Sequence, residues 1–368
     1  MGILRGRGTS AGIILALGAW SAVFLTVLSD APGRRSGPDD QAERAVRLMV
    51  RSLDAVRAGR AAAGVPIDPQ TDLNRTGLVG LENSPITTSL GQIEAKRTAT
   101  NPQFAGAVVR MLREAGVRSG DAVAVGASSS FPGLFVAALC AVRAIDARAL
   151  AILSLGASNW GGNDPRWTGL ETVACLNRSG ILRIDLLASS VGGEGDAGGD
   201  MTAEGRAFLR KKIAASGLAL IEEKTLADDV RVRLALYDAR AEGTGIKAFV
   251  NVGGSWVNMG TDPGILKLRP GFNSSAEVSI PPPGRRGLIQ QMAARGIPVI
   301  HLLYVKGLAD RYGLSWDPFP FPAFEQAPSG GSPGTGSRPA VVRAAAVYLL
   351  GVIGGAALIL RRRRSLTV

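Results

Sequence analysis

Residues 122–145 read AVAVGASSSFPGLFVAALCAVRAI, and the fold class is predicted outward from this stretch. Its first five residues form a short apolar strand, and Leu134 to Ile145 form an apolar helix. A loop of Ser and Gly joins the two. A buried strand followed by a helix is typical of a βαβ unit, in which the next strand runs parallel to the first.

The same alternation continues towards the C-terminus. Further strands are predicted at 149–153, 181–188, 246–252 and 298–303, with helices at 166–178, 202–216, 227–240 and 287–294. This order predicts an α/β domain with an open, mostly parallel sheet and flanking helices. Upstream, residues 41–60 have amphipathic helical spacing, which suits a membrane surface or the main domain. Residues 77–102 are predicted to be a structured loop placed to fold over a crevice.

Two hydrophobic segments near the chain ends predict membrane anchors. Residues 9–29 and 341–360 match the roughly 20 apolar residues that cross the hydrocarbon layer. Arg5 and Arg7 precede the first segment and residues 361–364 are four arginines, so both termini are expected in the cytoplasm. The alternatives are a cleaved signal peptide for the first segment and a buried core helix for the second.

These features predict a fold class in which the α/β sheet is held between two transmembrane helices at a bacterial inner membrane. The main domain is expected on the extracytoplasmic side. The expected segments are a cytoplasmic N-terminus (1–8), an anchor (9–29), a linker with the amphipathic helix (30–76), the α/β domain (77–325), a Pro/Gly/Ser linker (326–340), a transmembrane helix (341–360) and a cytoplasmic Arg-rich tail (361–368).

Net charge and amino-acid composition limit the classes of partner and cofactor that we expect for this chain. The net charge of +12 favours an anionic partner, such as lipid headgroups or an acidic polymer. The chain has one histidine and two cysteines, Cys140 and Cys175, which are expected to be buried thiols. No His/Cys cluster is available to bind zinc. We therefore expect no metal, no cofactor and no nucleic acid partner.

Serine and glycine follow four of the predicted strands. Because ligands of open parallel sheets bind outside the carboxyl ends of the strands, these loops predict a polar crevice. Glycine amides and serine hydroxyls suit a carboxylate, a phosphate or an oxyanion. The ligand-binding residues expected are Ser128, Ser129, Ser130, Ser158, Asn159, Gly192, Gly193, Gly254 and Ser255, together with Glu82, Lys96 and Arg97 from the segment 77–102.

A catalytic set is left unassigned. Ser128 and Ser130 lie between strand and helix, where a nucleophile would sit, but the loop lacks the second glycine of the G-x-S-x-G pattern. The single histidine, His301, is the candidate base for either serine. A Ser–Lys arrangement with Lys96 or Lys247 is the other arrangement open to this chain.

Four stretches together carry a resemblance. They are ENSPITT (82–88), EAKRTATNP (94–102), GASSSFP (126–132) and GASNWGGNDP (156–165), and they resemble the poly-gamma-glutamate system protein family over about residues 77–303. The resemblance implies a membrane-associated role in making, exporting or attaching this anionic polymer. It implies the polymer, membrane lipids and other membrane subunits as partners, and it supplies no catalytic residues.

Two functions are therefore expected. The first is a membrane-anchored accessory component that binds poly-gamma-glutamate or the synthase subunits at the outer face of the inner membrane. The alternative is a serine-dependent hydrolase or transferase that acts on the gamma-glutamyl polymer.

Overall fold

The computed structural model describes residues 40–322. Within them, helices and strands alternate after an initial group of helices. In chain order they are α1 (Asp40–Ala62), α2 (Ile93–Ala99), α3 (Gln103–Glu114), β1 (Ala122–Ser128), α4 (Pro132–Ala144), β2 (Arg148–Ser154), α5 (Gly169–Arg178), β3 (Leu186–Ser190), α6 (Ala203–Ser216), β4 (Leu220–Ile221), α7 (Leu226–Arg240), β5 (Ile246–Val252), α8 (Trp256–Met259), β6 (Gly271–Asn273), α9 (Leu288–Ala294), β7 (Val299–Leu302) and α10 (Val305–Tyr312).

The seven strands form one sheet in the order β4-β3-β2-β1-β5-β7-β6. All neighbours are parallel except β6, which runs antiparallel to β7. From β1 the chain builds outward through β2, β3 and β4, and it then returns to place β5 on the other side of β1. The strand order therefore reverses between β1 and β5, which is where open α/β sheets bind ligands.

Apolar side chains from both faces of the sheet form two cores. Along β1, Val123 and Val125 point into one core while Ala122 and Ala124 point into the other, as the two-residue period of a strand requires. Helices α1, α3, α4 and α5 cover the first face, and α7, α8 and α9 cover the second. Because both faces are covered, every residue of β1 is buried.

Helix α1 is part of the first core. Its buried residues Met49, Leu53 and Val56 repeat at helical spacing and face α3 and α4, while Arg47 and Arg51 are exposed. The amphipathic pattern of residues 41–60 therefore serves packing on the α/β domain. Helix α1, although it lies upstream of residue 77, therefore packs in the same core as the α/β domain.

The transmembrane part of the predicted fold class is wrong for the residues that the structure describes. Between residues 40 and 322, no helix is both long and apolar enough to cross a membrane. Helix α1 has 23 residues but carries charged side chains along its length, and the apolar helix α4 has only 13. Roughly 20 apolar residues are needed for a span. The two segments predicted as anchors, 9–29 and 341–360, lie outside the described residues.

Candidate functional site

A polar crevice lies at the carboxyl ends of β1, β2, β3 and β5, beside the point where the strand order reverses. Its cavity volume is about 290 Å³, at the lower end of the range for small-molecule sites. Most of its lining comes from loops that follow the strands and from residues 88–91. The lining residues are Thr88, Ser89, Leu90, Gly91, Lys96, Ser128, Ser130, Phe131, Ser154, Gly156, Ser158, Gly193, Asp200, Gly254, Ser255, Trp256 and Leu303.

The loop after β1 forms the floor of the crevice. Ser128 Oγ donates to Ser130 Oγ (2.9 Å) and accepts from the Ser130 backbone amide (3.1 Å). Ser130 Oγ also accepts from the Ser158 backbone amide (3.0 Å), which ties this loop to the one that follows β2. Pro132 then begins α4, a favoured position because proline has no amide hydrogen to leave unpaired. Both hydroxyls are thus held in fixed positions.

Lys96 is a buried cation on the crevice wall. Its side chain belongs to α2 and is 3% exposed. Its Nζ donates to Ser130 O (2.5 Å) and to Ser158 Oγ (2.6 Å), and it lies 3.7 Å from the centroid of the Phe131 ring. No carboxylate bonds to this amine within the described residues. Burial therefore lowers the pKa of Lys96 from 10.5 to about 7.

Helix α2 is fixed from the side opposite the crevice. Arg97 forms an ion pair with Asp317, and Thr98 Oγ accepts a hydrogen bond from the Asp317 amide (2.8 Å). These contacts join α2 to the last described segment of the chain. They position α2 so that Lys96 lines the crevice, whereas Arg97 pairs with Asp317 and does not line it.

The segment 87–91 runs beside the loop after β2 and completes the wall. The Thr88 amide donates to Ala157 O (2.9 Å), and the Asn159 amide donates to Ser89 O (2.9 Å). The backbone at Gly91 then passes very close to the side chains of Lys96 and Ser158. A Cβ atom placed on Gly91 would lie 3.3 Å from Ser158 Oγ and 3.0 Å from Lys96 Cε. A side chain at this position would crowd both groups.

Two further side chains show what the crevice could bind. Ser255 is 8% exposed, and its Oγ has no hydrogen-bond partner within residues 40–322. A buried hydroxyl without a partner costs free energy unless a ligand or water satisfies it. At the rim, Asp200 presents the one carboxylate that lines the crevice among the described residues, and its Oδ1 accepts from the Glu194 amide (2.9 Å). The site therefore offers a cation, several hydroxyls and one peripheral anion.

The structure brings some of the residues expected from the sequence into the crevice and places others elsewhere. The crevice contains Lys96, Ser128, Ser130, Ser158, Gly193, Gly254 and Ser255. Five others do not line it. Ser129 lies beside Gly169 at the start of α5, Asn159 Nδ2 donates to Glu82 O, Gly192 packs against Ser154, Glu82 is exposed, and Arg97 pairs with Asp317.

His301 lies on β7, which β5 separates from β1. Its Nδ1 accepts a hydrogen bond from Asn251 Nδ2 (2.9 Å), and Asn251 Oδ1 accepts from Asn258 Nδ2 (2.8 Å). Since strands are about 4.8 Å apart, two strand spacings separate β7 from Ser128 on β1. Burial lowers the pKa of His301 to about 4, so its ring is neutral at physiological pH. The structure places it in a buried amide network and out of hydrogen-bonding reach of the candidate serines.

Lys247, the other candidate base, lies at the amino end of β5 and is exposed. The opposite end of the same strand leads to the crevice, so Lys247 and the serine loops lie at opposite edges of the sheet. Residues that sequence reasoning did not select include Leu90, Gly91, Asp200 and Trp256. Leu90, Gly91 and Asp200 belong to irregular segments, and Trp256 begins the four-residue helix α8, which is too short to show a periodic pattern. Only the density of functional groups in 77–102 pointed to the first two.

A larger groove of about 500 Å³ lies between α1 and α5. Gly59, Trp167 and Cys175 line it together with Arg166 and Arg178. Burial raises the pKa of the Cys175 thiol, which leaves it in the unreactive protonated form. The groove lies away from the carboxyl ends of the strands and lacks a nucleophile with a base, so the crevice is the better candidate site.

Comparison of the chain with protein-family models, curated proteins and solved structures gives no match. The class of protein is therefore described from its fold and its site. It is an α/β protein with a mostly parallel sheet, and a polar crevice that contains a lysine lies where the strand order of this sheet reverses.

Proposed function

We propose that this protein binds an anionic, carboxylate-bearing ligand in the crevice, and that a gamma-glutamyl chain is this ligand. The observation that carries the proposal is Lys96, a buried amine that faces the crevice and has no carboxylate partner among residues 40–322. Burying a charge is costly unless an opposite charge compensates it. A ligand carboxylate would supply that compensation.

The remaining polar groups support a ligand with both acceptors and donors. The hydroxyls of Ser130 and Ser255 suit a carboxylate, while Asp200 at the rim suits an amide or amine hydrogen. A gamma-glutamyl residue carries a carboxylate next to an amide N–H. The resemblance of residues 77–303 to the poly-gamma-glutamate system proteins points to the same polymer. A volume of about 290 Å³ suits a short stretch of chain.

Binding of gamma-glutamyl oligomers to the full-length chain tests the proposal, with titration calorimetry as the measurement. Replacing Lys96 by Met should weaken binding about ten- to a hundredfold, the value of one or two hydrogen bonds to a charged group. Lys247→Met is the matched control, because it removes the same charge at the opposite edge of the sheet. Equal losses in the two variants would show that binding reflects net charge and would contradict a crevice site.

The pH dependence gives a second measurement. Because the pKa of Lys96 is about 7, the ammonium form that attracts a carboxylate is lost as the pH rises through and above this value. Affinity should therefore fall between pH 6 and pH 9 in the parent and stay constant in Lys96→Met. Gamma-linked oligomers whose alpha-carboxylates are converted to amides, and so are uncharged, should bind weakly at both pH values. Tight binding of these neutral oligomers would contradict an anion site.

A further inference from the structure

We propose that Ser158 and Lys96 form a nucleophile–base pair that transfers acyl groups in this crevice. The inference rests on the proposed function, because it names what the bound chain would undergo. The substrate class is an amide or ester whose acyl part carries a carboxylate. Ser158 is the nucleophile, and Lys96 is the general base and acid.

Geometry selects Ser158 among the serines of the crevice. Its Oγ lies 2.6 Å from Lys96 Nζ, within the reach that proton transfer needs. Ser128 and Ser130 bond to each other, and neither hydroxyl is hydrogen-bonded to a basic side chain of residues 40–322. Ser154 Oγ bonds to the Asp196 carboxylate (3.2 Å), but this carboxylate is already paired with an arginine.

The surroundings of Lys96 suit a base that works near neutral pH. Burial lowers its pKa to about 7, so a large share of the amine is unprotonated at that pH. Its bond to Ser130 O and its contact with the Phe131 ring hold Nζ in place. With two contacts fixed, the nitrogen lone pair of the neutral amine can accept the Ser158 proton. The described lining of the crevice contains one further charged side chain, that of Asp200.

The reaction balances without a further reactant except water. Ser158 Oγ bonds to the acyl carbon, its proton passes to Lys96 Nζ, and the carbonyl electron pair moves onto oxygen. The bond to the leaving group then breaks, and the departing amine or alcohol takes the proton from Nζ. Water next attacks the Ser158 ester, gives a proton to Nζ, and releases the acid as that proton returns to Oγ. An amine in place of water yields transfer instead of hydrolysis.

The first test maps the acyl group on the unmodified full-length chain. The chain is incubated with p-nitrophenyl acetate, quenched in acid, digested and analysed by mass spectrometry. The expected result is an acetyl ester on Ser158 that hydroxylamine removes, unlike acetyl-lysine. An ester on Ser128 or Ser130, an amide on Lys96, or no modification in the crevice would overturn the proposal. This measurement needs no variant to fold.

The second test follows p-nitrophenol release in variants with unchanged thermal unfolding. Ser158→Ala and Lys96→Met should each lower the rate at least about 100-fold, as expected when a nucleophile or general base is removed. Ser129→Ala and Lys247→Met are the matched controls and should retain the parent rate. In the parent the rate should rise with pH through about 7, and Asp200→Asn should keep the midpoint of that rise. A midpoint that disappears in Asp200→Asn would overturn Lys96 as the base.

The two proposals fail in different ways. If gamma-glutamyl oligomers bind through Lys96 but Ser158 is never acylated, the nucleophile pair is wrong and the binding function stands. If Ser158 is acylated but the oligomers do not bind, the pair stands and the polymer is not its ligand. The pH responses also oppose each other, since binding weakens and acylation accelerates as Lys96 loses its proton.

Discussion

Two buried cations in this protein show opposite designs. Arg233 on α7 is 1% exposed and lies between two carboxylates, Asp196 and Asp229. Lys96 on α2 is 3% exposed, and within the described part of the chain its amine bonds to a carbonyl and a hydroxyl and lies over an aromatic ring, with no carboxylate partner. The first cation is compensated within the fold, whereas the second is left for a ligand or a proton transfer. Lys96, the buried cation without an opposite charge, is therefore a stronger indication of a functional site than Arg233.

The network around Arg233 is connected to the crevice. Asp196 accepts hydrogen bonds from Ser154 and Ser190 at the ends of β2 and β3, and it pairs with Arg233 on its other oxygen. Burial, together with the nearby Asp196 carboxylate, raises the pKa of Asp229 to about 6. The network thus fixes the ends of β2 and β3 below the loops of the crevice, and its role is structural.

The largest expected effect is that of Arg233→Met on stability. The substitution leaves two buried carboxylates without their cation, which typically costs about 3–5 kcal/mol of unfolding free energy. Urea unfolding at pH 7.5 measures it. Arg231→Met is the control, because this arginine is on the same helix and its pair with Asp228 is exposed. A loss below 1 kcal/mol in Arg233→Met would remove the distinction drawn between the two cations.

Lys96→Met should change stability in a pH-dependent way. The folded chain releases the Lys96 proton near pH 7, whereas the unfolded chain keeps it until about 10.5. The unfolded state therefore binds more protons between these values, and the parent gains stability as the pH rises from 7 to 10. Relative to Lys96→Met, this gain should be about 3 kcal/mol.

Urea unfolding at three pH values between 7 and 10 gives the comparison. Lys247→Met serves as control, because it removes a lysine side chain that is exposed instead of buried. A difference between parent and Lys96→Met that is the same at pH 7 and pH 10 would mean that Lys96 is not a desolvated cation. The contrast with Arg233 would then fail.

His301 is a third buried titratable group, and it avoids the cost of a buried charge because its ring stays neutral. It has no charged partner in its hydrogen bond to Asn251, and burial lowers its pKa from 6.5 to about 4. As the pH falls from 6.5 to 4, the unfolded chain takes up a proton that the folded chain does not, so stability is lost. The parent should lose about 2 kcal/mol more than His301→Gln across this window.

Chemical unfolding at pH 7 and pH 4.5 measures this difference. Glutamine can still accept from Asn251, so the variant keeps the hydrogen bond and loses only the titration. Identical acid sensitivity in the parent and in His301→Gln would show that His301 is protonated in the folded state. The buried amide network would then need another explanation.

The sequence predicted five of the seven strands, because these are apolar runs flanked by turn residues, whereas β4 and β6, of two and three residues, were not predicted. Strand β5 has the same bounds as predicted, and the α/β class with a mostly parallel sheet agrees with the structure. Strand β3 begins at Leu186, five residues later than predicted. The Asn177 side chain bonds both backbone groups of Ile184 and keeps this segment out of the sheet. No local sequence pattern predicts such a side-chain contact between residues seven positions apart.

Part of the candidate site could also be predicted from local sequence patterns. Strand ends are local, so the serine loops at Ser128 and Ser158 could be assigned to one edge of the sheet. The pairing of Ser158 with Lys96 depends on how residues 87–96 fold back across the sheet, and no periodicity encodes that path. His301 was selected for its residue type alone, and its place two strands from Ser128 follows from the strand order.

The smallest expected effect distinguishes a hydroxyl left open for a ligand from one bonded within the fold. Ser255 Oγ has no partner within residues 40–322, whereas Ser190 Oγ donates to Asp196 Oδ1 (3.0 Å). Ser255→Ala should therefore leave the unfolding free energy within about 0.5 kcal/mol of the parent, because no hydrogen bond is broken. Ser190→Ala, which removes a bond to a charged group, should cost about 1.5 kcal/mol.

In binding the order should reverse: Ser255→Ala should weaken gamma-glutamyl binding by about 0.5–1.5 kcal/mol, and Ser190→Ala, in a variant that remains folded, should weaken it less. Urea unfolding and calorimetry on the same two variants give both orders, and a stability loss in Ser255→Ala equal to that in Ser190→Ala would show that Ser255 is part of the fold and not of the binding site.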